Sequence, residues 1–156
     1  MKPSVKKNLQ NQPYSKDYTD GLAAIKNEHR KQIKYEDPRN LIGSLDIDKA
    51  CKYSEPSASR WDYLIVVNKN NKENLAFIEI HPAKPGEVEV IIKKKEWLLV
   101  WISKTRLKEF SRSIIWVSTG GTKILPQSKY IRILAQNGIS LPRSVTLLLD
   151  TEVEYK

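Results

Sequence analysis

Asp62, Glu79 and His81 are the side chains whose types and spacing could do chemistry. Glu79 and His81 stand two apart in the segment 75–81 (LAFIEIH). If that segment is extended, both side chains point to one face, together with Leu75 and Phe77. Asp62 is the second residue of 61–67 (WDYLIVV) and shares its face with Leu64 and Val66. If the two segments pair as a hairpin, Asp62 at the start of one strand meets Glu79 and His81 at the end of the other. Carboxylates brought that close repel, and a shared divalent cation is the usual remedy. Such a cation can hold a phosphodiester oxygen and lower the pKa of an attacking water. Each residue also has a plainer reading: Asp62 as a solvated acid at a sheet rim, and His81, just before Pro82, as a structural strand end.

The elements that must position these residues follow from pattern. Residues 61–67 and 75–81 are dense in β-branched and aromatic types, so both read as strands, joined by a polar stretch of seven residues at 68–74. Pro82 and Pro85 close the second strand. Pro85, Glu87 and Glu89 then suit the start of a helix over 86–110. Its apolar stripe is Val88, Ile91, Ile92, Leu98, Leu99, Ile102 and Phe110, with Lys95 on the stripe and Lys93 pointing away. Upstream, a helix is expected from Thr19 or Asp20 to Lys34, and a short strand at 41–47. Downstream come a strand at 113–118, a helix at 128–137 closed by Gly138, and a last strand at 145–149 without alternation. Residues 1–16 are polar and basic and read as a flexible tail, leaving one domain over 17–156.

Composition sets the frame. A chain of 156 residues, 40% of them hydrophobic and with few glycines and prolines, is one globular domain and not a disordered or fibrous chain. No apolar run approaches the roughly 20 residues of a membrane span, and the opening MKPSVKKNLQNQPYSK lacks the apolar core of a secretory signal. Cys51 is the single cysteine, so no internal disulfide is available; it reads as structural, and a reducing, cytoplasmic setting is expected. The formal charge is +9, with four lysines and no acid in residues 1–16 and seven cations against two acids in 93–112. Clustered positive charge favours a polyanionic partner, nucleic acid first, over a merely solvated surface.

The element order and the Asp62…Glu79-x-His81 arrangement resemble the PD-(D/E)xK phosphodiesterase superfamily, the restriction-endonuclease-like fold. The likeness spans about residues 19–150, and it rests more on topology than on these short motifs. It implies an α/β fold with a central mixed β-sheet flanked by helices. It implies magnesium or manganese bound by Asp62 and Glu79, with the main-chain carbonyl of Ile80 as a further ligand and Glu28 on the first helix as an extra acid. It implies hydrolysis of DNA or RNA. The chain departs from the pattern at the lysine of Glu-x-Lys, where His81 stands. Either His81 serves as base or ligand, or a lysine reaches in from the following helix, Lys95 first and Lys94 or Lys84 after it. The alternative is a catalytically inactive member of the same fold that binds nucleic acid or a protein.

Other chemistries find less support. Residues 118–122 (STGGT) form a polar stretch after a strand without the GxxxxGK[ST] pattern, so a plain loop is the expectation and phosphate binding the lesser reading. With His29 and His81 the only histidines, a triad or a histidine-rich zinc site is not expected. Trp97 and Trp101, four apart on the long helix, are expected to widen the core or an oligomer contact, such as a homodimer, before they stack on bases.

Overall fold

The computed structural model describes residues 4–10 and 12–148. Its centre is a sheet of five strands: β1 (Thr19–Asp20), β3 (Leu41–Asp46), β4 (Tyr63–Lys69), β5 (Lys72–Ala83) and β6 (Arg112–Thr122), in the order β1-β3-β4-β5-β6. Only β5 and β6 run parallel; the other neighbours are antiparallel, so the sheet is mixed. A separate parallel pair joins β2 (Ile33–Tyr35) to β7 (Thr146–Leu148). The helices are α1 (Val5–Leu9), α2 (Asn27–Arg30), α3 (Ile47–Lys52), α4 (Val88–Lys104) and α5 (Lys129–Gln136).

The β4–β5 hairpin sets the site. Its turn is two residues, Asn70 and Asn71, at φ 52° and 62°. Asparagine tolerates this left-handed region, and a turn with φ above zero at both central residues matches the twist of the strands. The seven-residue connection expected from polarity is therefore mostly strand, because Lys69 pairs with Lys72 and Asn68 with Glu73. With Tyr63 opposite Ile78, one further step along the register sets Asp62 opposite Glu79.

Both faces of β4 and β5 are covered, which explains their unbroken apolar character. Leu64, Val66, Leu75 and Phe77 pack with Ile91, Leu98 and Trp101 of α4 and Leu134 of α5. Phe77 meets Trp101 edge to face at 6.4 Å. On the other face, Tyr63, Ile65, Ile78 and Ile80 pack with Ile25, Ile33 and Leu148. Cys51 is buried and free, and burial pushes its thiol up to about 11, as suits an inert core residue.

Several expectations are corrected. Residues 4–10 and 12–17 are not a loose tail: α1 and a 3-10 turn over Pro13–Asp17 form there, and Val5 and Leu9 are buried in the core. The Val5 N–H also donates to Glu73 Oε1 at 2.8 Å. The helix expected over 19–34 breaks into β1, a turn and the four-residue α2, because Gly21 sits at φ 57° and Thr19 and Asp20 pair with β3. The helix expected over 86–110 ends at Lys104, with Arg106 at φ 61° just beyond. The strand expected over 113–118 runs on to Thr122. The strand expected over 145–149 begins at Thr146 and pairs with β2, and Leu149 lies outside the described residues.

Gly43 marks the tightest approach in β3. A Cβ there would strike the Tyr18 hydroxyl and come within 2.8 Å of the Thr19 carbonyl oxygen. Tyr18 can turn aside, but the β1 backbone cannot. Gly43→Ala is therefore expected to destabilise the fold by about 1–3 kcal/mol, the range for overpacking, read as a lower urea midpoint. An unchanged midpoint would show that β1 yields freely.

Candidate functional site

At the end of the hairpin away from its turn, Asp62 and Glu79 hold each other through the backbone. The Asp62 N–H donates to Glu79 Oε1 at 3.0 Å, and the Ile80 N–H donates to Asp62 Oδ2 at 2.9 Å. The Asp62 carbonyl accepts from the Ile47 N–H at 2.9 Å, which ties the residue to the start of α3 as well. Neighbouring segments on both sides thus fix Asp62, and its carboxylate is not a solvated rim group. Glu79 is wholly buried.

The ammonium of Lys94 lies directly on Glu79 Oε2. It reaches there from the first half of α4, and its side chain keeps 19% exposure. Lys95, the residue expected on the apolar stripe, turns elsewhere and donates to the Asn137 carbonyl, capping the end of α5. The reason is rotational. Trp101 is buried while Leu99 is 38% exposed, so the buried face of α4 is turned from the expected stripe towards Trp101. At about 100° per residue, that turn brings Lys94 to the sheet-facing edge and leaves Lys95 on the flank facing α5.

His81 shares the face of Glu79. Its Nδ1 lies 3.6 Å from Glu79 Oε2, and its Nε2 lies 2.8 Å from Glu87 Oε2. A carboxylate can only accept, so Nε2 donates to Glu87 and Nδ1 is the nitrogen turned toward Glu79. Trp116 Nε1 donates to the His81 carbonyl at 3.0 Å and so pins this stretch of β5 to β6. In the sequence Glu87 reads only as a helix-start acid; its place six residues after His81, beyond the Pro82 and Pro85 bend, is the signal that could have paired them.

Burial pushes the Glu79 carboxyl up to about 8, and the Asp62 charge adds to this; Lys94 and the Asp62 N–H pull it back. Burial likewise holds Asp62 above the usual carboxylate range, against Lys94 and the Ile80 N–H. Two adjoining acids in one enclosed place therefore retain protons that free carboxyls would lose.

Other candidates do not join them. Glu28 is exposed on α2, whose neighbour His29 contacts the Tyr63 hydroxyl at 2.7 Å on the opposite sheet face. Lys84 is exposed beyond the end of β5 and makes no contact with Glu79. Trp101 is core, and Trp97 stacks on it and donates to Glu55 Oε1 at 3.1 Å, so these rings widen the core.

The donor set bears on the implied metal. Among the described residues no group of three or more His, Cys, Asp or Glu side chains is placed to hold an ion. Asp62 and Glu79 still offer two hard carboxylates side by side, and magnesium, which keeps several waters, is often held by one or two. The two residues therefore fit such a cation, provided Lys94 moves or shares Glu79. No helix among the described residues is long and apolar enough to cross a membrane. No protein-family model, curated protein or solved structure matches this chain.

Proposed function

We propose that this chain is a metal-dependent phosphodiesterase of the PD-(D/E)xK kind, acting on DNA or RNA, in which Lys94 supplies the lysine that the Glu79-Ile80-His81 motif lacks. The observation that carries this reading is the Lys94 ammonium seated on Glu79 beside Asp62. Asp62 and Glu79 are the residues to hold magnesium or manganese, which supplies charge neutralisation for the phosphodiester and a more acidic attacking water. Lys94 places a positive charge where the phosphate charge grows during cleavage. His81, held through Nε2 by Glu87, turns Nδ1 toward the Glu79 carboxylate and is positioned to take a proton. The +9 charge favours capture of the polyanion.

The test is incubation of the pure protein with plasmid and single-stranded substrates in magnesium or manganese, against EDTA. Cleavage in metal that EDTA and Asp62→Asn both abolish is the expected result. A second reading, a binding module of this fold without activity, draws on the complete enclosure of Glu79 and the engagement of both its oxygens. Nucleic acid bound but uncut in either metal would favour it.

A further inference from the structure

Residues 118–122, expected to be a loop, belong to β6 and distort it. Pro82 pairs with Thr119, but Ala83 pairs with Thr122, so Gly120 and Gly121 are extra residues with no partner on β5. They stand at φ 72° and 84°, a region that glycine enters at little cost. A Cβ at either would meet nothing within 4 Å, so backbone conformation and not crowding asks for glycine. The bulge opens a cavity of about 440 Å³ between the strand ends.

Lys84 and Lys123 line that cavity, and among the described residues no acid does. Each follows one member of the Ala83–Thr122 pair, and the Lys123 N–H donates to the Ala83 carbonyl at 2.8 Å. The two lysines are therefore held on neighbouring strand ends. Both are exposed, and among the described residues neither ammonium has a hydrogen-bond or ion-pair partner. Adjacent like charges repel, and an anion between them would relieve this. The cavity lies past the carboxyl ends of the only parallel pair in the central sheet, where ligands bind in open α/β sheets. Glu79 is four residues back along β5 from Ala83, roughly 13 Å at about 3.3 Å per residue.

We propose that Lys84, Lys123 and the Gly120 and Gly121 bulge form a phosphate-binding subsite for a nucleic-acid strand, holding a backbone phosphate beside the one presented to Asp62 and Glu79. The placement of the second phosphate rests on the function proposed above; the binding does not need cleavage. The four cations Lys69, Lys72, Arg112 and Arg143 line a separate groove that extends from the hairpin turn at the far end of the sheet, and Lys69 and Lys72 at that turn provide the control.

The experiment is fluorescence anisotropy with a labelled oligothymidylate of about 12 nucleotides, in EDTA, from about 50 to 200 mM salt. It compares the wild type with Lys84→Ala/Lys123→Ala and Lys69→Ala/Lys72→Ala, which remove equal charge at opposite ends. The first pair is expected to weaken binding about tenfold or more and to flatten the log–log salt slope by about 0.7 for each phosphate no longer neutralised. The second pair is expected to weaken it less. Circular dichroism melts check that each variant is folded. Unchanged affinity and slope in Lys84→Ala/Lys123→Ala, an equal weakening in the control, or no binding by the wild type would each overturn the subsite. A wild type that binds here yet never cuts removes the activity and leaves the subsite standing.

Discussion

Lys94→Ala is expected to lower metal-dependent cleavage by about 10²–10⁴-fold, the range that follows removal of one positioned proton-transfer or charge-stabilising group. Lys95→Ala is expected to leave the rate near that of the wild type. The two residues are neighbours on α4, carry the same charge and are both half-buried, so the comparison isolates where each ammonium points. Lys94 meets Glu79, and Lys95 meets the Asn137 carbonyl at the end of α5. Truncating Lys95 removes a favourable charge at a helix terminus, worth about 0.3–1 kcal/mol of stability. Lys94→Arg keeps the charge but replaces a compact ammonium with a planar fork, so its activity is expected between wild type and alanine. Initial rates on plasmid, with melting temperatures as a check on folding, decide the matter. Equal reductions in Lys94→Ala and Lys95→Ala would mean that α4 packing, and not the ammonium on Glu79, governs activity.

The difference between Lys94 and Lys95 also shows how far the sequence can be read. Residues 61–67 and 75–81 are legible as strands because β-branched and aromatic types fill both faces of a covered sheet. Glu79 and His81 are legible as co-facing because a strand alternates with period two. The meeting of Asp62 with Glu79 needs the register, and that depends on a two-asparagine turn whose left-handed dihedrals polarity alone does not reveal. The choice between Lys94 and Lys95 needs the rotation of α4, which burial of Trp101 decides, and a tryptophan two residues past a leucine pair does not announce its side. The first expected helix fails for a related reason. Leu22, Ile25 and Ile33 keep an approximate helical spacing, yet Ile25 and Ile33 reach the core from a turn and from β2. Pairing of Thr19 and Asp20 with β3, and the left-handed Gly21, end any helix there. In residues 4–17, two apolar side chains four apart are too short a signal to separate from a polar tail.

Glu79→Gln is expected to make the protein more stable relative to wild type as pH rises. The sign follows from the raised carboxyl: Glu79 is pushed from 4.5 in a free chain to about 8 in the fold. Between those values the unfolded chain has released the proton while the folded one still holds it, so stability falls with pH. The contribution is fully present below about 4.5 and is lost as pH rises through about 8. At about 1.4 kcal/mol per pH unit across the window, the total is on the order of 3–5 kcal/mol. Glutamine does not titrate, so its curve lacks this slope; the raised Asp62 carboxyl remains in both proteins and largely cancels in the difference. Urea unfolding of both proteins at several values from about pH 5 to about pH 8 measures it, with the wild type losing ground steadily. Adding Lys94→Ala to the wild type removes the charge that holds Glu79 down, which should carry the loss to higher pH. A difference from Glu79→Gln that stays flat across this window would mean that the Lys94 ammonium offsets burial and the Asp62 charge. Glu79 would then be ionised throughout, already in the charge state that a divalent cation requires of its ligand.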